Sequence, residues 1–311
     1  MNQARNIENA KYTIHDDTQI KSVVLNVSNL DRQVRFYQKL LGFQILKQEA
    51  DQAVLGTDQK ELLQLVEQPG YKRFHRVIGL YHFAVLLPNR GDLARVVKRL
   101  HETGYPNYPT DHILTKTTCL NDPEGNGIEL YAESPEDGTW IMDQDSFYAR
   151  RADGSISSGR EPLNVEALFK HLDADARLDL SIPDGTRIGH VHLHVHDLEL
   201  ALDFYHGLLG FNIMGRTDAA RMAFVSAGGY HHHIGLNTWQ GEGAPAPPPD
   251  SLGLSYFSIE LPDDTTLDEI TRRIEQAGIS TEETRGGLYL QDPSRNGVLL
   301  TAKNNRQDYD S

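Results

Sequence analysis

One segment of the chain stands out by its alternation of apolar and polar positions. From Ile188 to Leu198 the sequence reads IGHVHLHVHDL, with histidine at every second position from His190 to His196. Neighbouring side chains of a β-strand point to opposite faces of its sheet. The pattern therefore predicts a strand with one apolar face and one face of imidazole rings.

The two halves of the chain repeat each other at several places. Three pairs of segments align: Ile20–Ile45 with Ile188–Ile213, Gly79–Pro88 with Gly253–Pro262, and Asp122–Leu130 (DPEGNGIEL) with Asp292–Leu300 (DPSRNGVLL). Internal repetition of this kind indicates one supersecondary unit used several times. Each half contains two such units.

Each unit begins with an alternating strand such as VVLNV, followed by an amphipathic helix. In LDRQVRFYQKLL the apolar residues follow helical spacing, at Leu30, Val34, Tyr37 and Leu41, and Gly42 is a natural helix stop. Three strands are expected after the helix, with the Asp-Pro-x-x-Asn-Gly segment as the turn into the last one. The unit is thus predicted to be βαβββ.

The repeats place four units and divide the chain. We expect units at 20–68, 78–132, 186–240 and 252–303. The first two form a predicted N-terminal domain, 1–135, and the last two a C-terminal domain, 186–311. Residues 136–185 are interpreted as a linker with a docked helix, because LNVEALFKHL is its one helical pattern.

Composition excludes several classes of protein. The 311 residues carry a formal charge of −14, and no basic run interleaves with aromatic residues, which argues against a nucleic-acid partner. No stretch approaches the roughly 20 apolar residues of a membrane span. The N-terminus has no apolar segment typical of a secretory signal, and Cys119 is the single cysteine. These features predict a cytoplasmic protein.

Four βαβββ units with FYxxxLGF after the first strand and DPxGNxIEL at the end resemble the vicinal oxygen chelate superfamily. Its members include glyoxalase I, extradiol dioxygenases and bleomycin-binding proteins. The segment GGYHHHIGLNTW (Gly228–Trp239) is similar to catechol 2,3-dioxygenase-type ring-cleaving enzymes. The resemblance implies an α+β fold with two incompletely closed, cup-shaped sheets. It also implies Fe(II) held by two histidines and one glutamate, which leaves open positions for a substrate.

The resemblance places metal ligands on the first and last strands of paired units. The corresponding positions here are Ser22, His82, His190 and Tyr256 on first strands, and Glu129 and Leu299 on last strands. Neither half carries two histidines and a glutamate, whereas units two and three together do. We therefore expect His82, Glu129 and His190 to bind the metal in a cup built from units two and three. The same ligands would meet between chains of a homodimer.

Other histidines are candidates for the substrate pocket or for proton transfer. The resemblance assigns the acid/base role to His232. Strict alternation instead turns His231 and His233 inward, and a bulge near Gly228-Gly229 would reset that parity, so His233 stays as the alternative. His192, His194, His231 and Cys119 are expected to line the pocket, and His196 to reach its rim. The contrary interpretation is that these histidines simply face solvent.

The sequence thus favours a metal-dependent extradiol ring-cleaving dioxygenase, an oxidoreductase acting on a catechol-like diol and O2. Fe(II) is the expected metal, with Mn(II), Zn(II) and Ni(II) as alternatives. One competing hypothesis is a glyoxalase-type isomerase or thiol transferase. The other is a metal-free small-molecule binding protein. Metal content and catechol turnover separate the three.

Overall fold

A computed structural model describes residues 12–143 and 145–303. In it the chain folds into two large, open sheets. Unit one contains β1 (Gln19–Val27), α1 (Leu30–Arg35), β2 (Gln44–Gln48), β3 (Gln52–Gly56) and β4 (Glu61–Glu67). Unit two contains β5 (Gly79–Leu86), α2 (Arg90–Thr103), β6 (Tyr108–Asp111), β7 (Thr115–Asn121) and β8 (Gly127–Glu133). The predicted βαβββ order is present in both.

The second half repeats this order after a connecting segment with short elements of its own. That segment holds a short 3-10 helix (Pro135–Asp137), β9 (Gly138–Met142), β10 (Phe147–Arg151), β11 (Ile156–Ser157), β12 (Glu161–Pro162) and α3 (Val165–Phe169). Unit three contains β13 (Arg187–His194), α4 (Leu198–Leu202), β14 (Asn212–Thr217), β15 (Met222–Ser226) and β16 (Ile234–Asn237). Unit four contains β17 (Gly253–Leu261), α5 (Asp264–Gln276), β18 (Thr281–Thr284), β19 (Gly287–Gln291) and β20 (Gly297–Ala302). The α+β prediction with four units is confirmed.

Each sheet takes one unit from each half of the chain. Units one and four form an eight-stranded sheet in the order β18-β19-β20-β17-β1-β4-β3-β2. Units two and three, with β12 added at one edge, form a nine-stranded sheet in the order β12-β6-β7-β8-β5-β13-β16-β15-β14. The first strands β5 and β13 are antiparallel neighbours at its centre. The expected union of units two and three thus occurs within a single chain.

The segment 136–185 is more structured than its sequence indicates. The helix α3 lies within the LNVEALFKHL pattern, and the ring of Phe169 packs on His101 of α2. Strands β9, β10 and β11 form a separate antiparallel sheet, which the sequence pattern did not predict. This small sheet brings Trp140 and Phe147 towards the nine-stranded sheet.

Polar caps and a widened helical turn shape the helices. Asn29, Asn89, Asp197 and Asp263 each accept a backbone N–H at a helix start. The predicted first helix continues past Arg35 as a π-helical segment, Phe36–Leu41, and Asp203–Leu208 repeats this in unit three. In the described part of the chain, no helix is long and apolar enough to cross a membrane.

Two buried tyrosine–aspartate hydrogen bonds join neighbouring units. Tyr37 of unit one donates to Asp122 Oδ2 of unit two at 3.1 Å, and Tyr205 of unit three donates to Asp292 Oδ2 of unit four at 3.0 Å. Each tyrosine lies on a π-helical segment, and each aspartate begins a DPxxNG turn. Burial raises the pKa of both aspartates, opposed by hydrogen bonds from their own turns and from the tyrosines. These bonds tie the eight-stranded sheet to the nine-stranded one.

Replacing either tyrosine by phenylalanine removes one donor from a buried carboxyl group. We expect Tyr37→Phe and Tyr205→Phe each to lower the free energy of unfolding by about 1–3 kcal/mol, because the acceptor stays buried. Chemical denaturation of the two variants measures this. Tyr289→Phe is the matched control, since its hydroxyl accepts a long bond of 3.4 Å from exposed Gln291. Equal stabilities for Tyr37→Phe and the control would contradict the prediction.

Candidate metal centre and its cavity

The centre of the nine-stranded sheet brings candidate ligands into one row. On β5, Ala84 lies opposite His190 of β13 on one side and opposite Glu129 of β8 on the other. Cys119 of β7 extends the row beyond Glu129. His82 is two residues from Ala84, so it projects from the same face of the sheet. The small side chain of Ala84 leaves space above it where the larger side chains converge.

The side chains of His82, Glu129 and His190 meet above Ala84. His82 Nε2 lies 3.2 Å from His190 Nε2 and 3.3 Å from Glu129 Oε2, and His190 Nε2 lies 3.7 Å from the same oxygen. Two atoms bound to one metal at about 2.1 Å are roughly 3.0–3.4 Å apart in octahedral or tetrahedral geometry. Two of the three distances lie in this range, and the third, 3.7 Å, exceeds it slightly, so the spacing of the three predicted ligands is close to what a divalent cation requires.

The electrostatics of this group also suit a cation. Burial lowers the pKa of His82 to about 3, against the opposing charge of Glu129, so the ring is neutral with a free lone pair. For Glu129, burial acts to raise the pKa, but the nearby rings of His190 and His82 lower it overall, so the group is a carboxylate. A buried carboxylate beside a neutral imidazole needs a cation. The donor set fits a divalent metal.

Supporting residues hold Glu129 and His190 in place. Thr117 Oγ1 donates to Glu129 Oε1 at 2.9 Å, which leaves Oε2 for the two histidines. The ring of Tyr131 lies 5.3 Å from that of His190, and its hydroxyl is bonded to Tyr230. A Cβ at Gly189 would lie 1.7 Å from the Tyr131 hydroxyl, so only glycine fits before His190. Thr117 was not predicted, although strand alternation places it on the same face of β7 as Cys119.

The three consecutive histidines precede β16 and do not belong to a strand. Gly228 and Gly229 have φ of +60° and +71°, and β16 begins at Ile234, so alternation does not govern this segment. His232 stacks on Phe224 with ring centroids 4.2 Å apart and lies 4.0 Å from the His190 ring. His232 therefore enters the site.

The other two histidines of the segment have different surroundings. His233 Nδ1 accepts the Ala227 N–H at 3.2 Å and lies 2.8 Å from Ser226 Oγ, away from the candidate ligands. His231 Nδ1 lies 3.4 Å from Glu133 Oε1. His190, His231 and His232 also form a second group whose ring nitrogens lie within 4.8 Å of one another, but it has no carboxylate.

A cavity of about 480 Å³ opens above the candidate ligands. Aromatic side chains make up much of its wall: Tyr81, Tyr108, Trp140, Phe147, Phe224 and Trp239. His112 and Arg160 also line it. Trp140, Phe147 and Arg160 come from the segment 136–185, which has no counterpart in the repeats, so the repeat pattern could not reveal them. The cavity offers a planar aromatic molecule both stacking surfaces and the candidate metal.

The remaining predicted pocket residues divide between the cavity and its surroundings. Cys119 and His192 line the cavity, and burial raises the pKa of the Cys119 thiol. Among the described residues, His192 Nε2 has no hydrogen-bond partner. His194, which was predicted to line the cavity, lies outside it and lines a neighbouring cavity. Its Nδ1 lies 2.7 Å from Asn237 Oδ1. His196 bonds to Ser294 of unit four.

Comparisons with known proteins show which family this chain resembles. The sequence model of the glyoxalase/bleomycin resistance protein/dioxygenase superfamily matches residues 19–130 and 187–300. A catechol-2,3-dioxygenase of Bacillus subtilis (strain 168) is 40% identical over 292 residues, which is 93% of this chain and 98% of that protein. A biphenyl-2,3-diol 1,2-dioxygenase of Rhodococcus globerulus is 28% identical over 155 residues, 47% of this chain and 80% of that protein.

A solved structure shows the fold independently. The crystal structure of glyoxalase I from Zea mays superposes with a TM-score of 0.56 at 15% identity, covering 93% of this chain and 94% of that one. At this identity the similarity concerns the fold alone. The family model and the Bacillus relative each extend over most of the chain, and the chain therefore belongs to the glyoxalase/bleomycin resistance protein/dioxygenase superfamily, as a catechol 2,3-dioxygenase-like enzyme.

Proposed function

We propose that this enzyme opens the ring of a catechol-like aromatic diol with O2, next to the carbon pair that bears the hydroxyls. The observation that supports this most directly is the group His82, Glu129 and His190 at the base of an aromatic-lined cavity. Two histidines and one carboxylate on one face of a metal are typical of non-haem Fe(II) oxygenases. The two dioxygenase relatives support the same reaction class.

Fe(II) is the proposed metal, and Mn(II), Zn(II) or Ni(II) would fit the same three ligands. A bound iron would supply Lewis acidity towards the diol and the redox chemistry with O2 that side chains lack. Both oxygen atoms of O2 enter the product, a ring-opened hydroxy-semialdehyde, so no further reductant is consumed. The proposed partners are therefore a small aromatic diol and O2.

Side chains of the cavity position the diol and transfer its proton. The rings of Phe224, Tyr81 and Trp239 provide surfaces on which a planar substrate stacks. Burial lowers the pKa of His232 well below its usual range, so its ring is neutral. Its Nδ1 has no hydrogen-bond partner among the described residues, and the ring lies 4.0 Å from that of His190, so it is available to a diol hydroxyl. We assign the acid/base role to His232, which accepts a proton from a diol hydroxyl and later returns it to the leaving oxygen. His233, whose Nδ1 is already occupied by the backbone, is not assigned this role.

Metal analysis tests the three proposed ligands. We expect anaerobically purified wild-type protein to contain about one iron per chain, and His82→Ala, Glu129→Ala and His190→Ala each to lose most of it, because each removes one of three ligands. Elemental analysis measures the metal. His101→Ala, at an exposed position of α2, is the control. Full metal content in Glu129→Ala would point instead to the His190–His231–His232 group, and wild-type protein without any divalent metal would favour a binding protein.

The neighbouring histidines allow a matched test of the acid/base role. We expect His232→Gln to keep iron and folded stability but to lower the turnover number for catechol by about 10²–10⁴-fold, because a general acid/base contributes that much. We expect His233→Gln, outside the cavity, to change turnover far less. Steady-state kinetics with iron content measured on the same samples checks both. The reverse order of effects would reassign the role to His233.

A substitution at Ala84 should remove the metal without removing a ligand. Leucine at this position would fill the space between His190 and Glu129, so we expect Ala84→Leu to lose iron although all three ligands remain. Ala53→Leu, at a buried position of the eight-stranded sheet, is the control for the general cost of overpacking, about 1–3 kcal/mol. Elemental analysis and thermal unfolding of both variants separate the two effects. Retained iron in folded Ala84→Leu would show that the ligands do not converge above Ala84.

A further inference from the structure

A second cavity, of about 500 Å³, adjoins the aromatic one. Tyr81 and Trp239 line both cavities, so the two cavities meet at these rings. The second cavity lies where the DPxxNG turns of units two and four approach each other, and residues 73–78 and 251–254 close its sides.

The charge of the second cavity is opposite to that of the whole protein. The chain has a formal charge of −14, yet the residues lining this cavity include three arginines and neither aspartate nor glutamate. The arginines are Arg73, Arg76 and Arg295. Within the described part of the chain they take part in no salt bridge, whereas five other arginines do: Arg32, Arg90, Arg95, Arg177 and Arg216.

Arg73 is held rigidly at the wall. Its Nη1 donates to Asn126 Oδ1 at 2.7 Å and its Nη2 donates to the Gly125 carbonyl at 2.9 Å. Burial lowers its pKa, and the charges of Asp122 and Glu124 oppose that change. Arg76 and Arg295 are exposed at the opening and have no such neighbours among the groups described. The cavity thus combines one fixed guanidinium with two that are free to close on a ligand.

The internal repeat shows that Arg295 occupies a position suited to glycine. The turn DPEGNG of unit two has Gly125, with φ of +84°, where the turn DPSRNG of unit four has Arg295, with φ of +63°. A residue with a Cβ is less stable than glycine in this left-handed conformation. Arg76 has a similar φ of +58°. Two arginines therefore face one cavity from backbone conformations that do not favour them.

We propose that this cavity, the arginine cavity, binds the carboxylate of an acidic ligand whose aromatic end occupies the metal cavity. The proposal rests on the proposed ring cleavage and narrows its substrate class to diols with an acidic side chain. A guanidinium matches a carboxylate in shape and charge, and three of them in a partly enclosed space favour an anion strongly. The ring-opened product also carries a carboxylate, so the carboxylate bound in the arginine cavity has two sources, the substrate and the product.

Direct binding tests the site without requiring turnover. Calorimetry on anaerobic, iron-containing protein compares 3-phenylpropanoate with the neutral 3-phenylpropanol. We expect the acid to bind wild-type protein at least ten-fold more tightly, and Arg295→Gly to remove most of that difference while its melting temperature stays equal or rises. Arg177→Gln, an exposed arginine paired with Asp179, should leave the difference unchanged. Equal affinities of acid and alcohol for wild-type protein would overturn the proposal.

Steady-state kinetics distinguishes a carboxylate of the substrate from one of the product. It also distinguishes failure of the carboxylate site from failure of the proposed ring cleavage. A substrate carboxylate predicts a KM for 3-(3,4-dihydroxyphenyl)propanoate at least ten-fold below that for 4-propylcatechol, with a smaller ratio in Arg295→Gly. A site used only by the product predicts equal KM values but product inhibition that weakens in Arg295→Gly, which would overturn the substrate assignment. If no catechol is cleaved, ring cleavage fails, while the calorimetric comparison still decides whether the arginine cavity binds carboxylates.

Discussion

The antiparallel pairing of β5 with β13 is the contact on which the site depends. It joins unit two to unit three and places Ala84 directly between His190 and Glu129. Because side chains alternate along a strand, a shift of this pairing by one residue would turn the whole histidine face of β13 away from Glu129. The candidate metal group is therefore a property of the sheet register, and neither half of the chain contains it alone.

The other sheet shows what the same unit does without ligands. At the positions equivalent to the metal group, the sheet of units one and four has Ser22, Tyr256 and Leu299. Ser22 donates to Ser258 at 3.3 Å, and Leu299 pairs with Tyr289. These contacts are ordinary packing and hydrogen bonding. The buried Tyr37–Asp122 and Tyr205–Asp292 bonds connect this sheet to the nine-stranded sheet that carries the candidate ligands.

The repeats allowed much of this architecture to be predicted. Alignment of the halves placed the four βαβββ units, and the distribution of His82, Glu129 and His190 between them was sufficient to predict which units share a sheet. Alternation failed at His231–His233 because those residues precede β16, where two left-handed glycines redirect the chain. The cavity wall from residues 136–185 could not be predicted either, since that segment has no repeat to compare it with. The repeat shows that Arg295 stands where unit two has Gly125. Only the structure shows that Arg295 has a left-handed φ and lines a cavity.

Burial explains why so many histidines can share one place in an acidic protein. Desolvation lowers the pKa of His82, His192 and His232, so these three rings are neutral and do not repel each other. The group then carries the uncompensated charge of one carboxylate in a medium of low dielectric constant. A divalent cation at its centre cancels that charge and engages the free lone pairs at the same time. A buried carboxylate surrounded by histidine rings is therefore unfavourable without a cation and favourable with one. This explains physically why β13 carries a face of histidines.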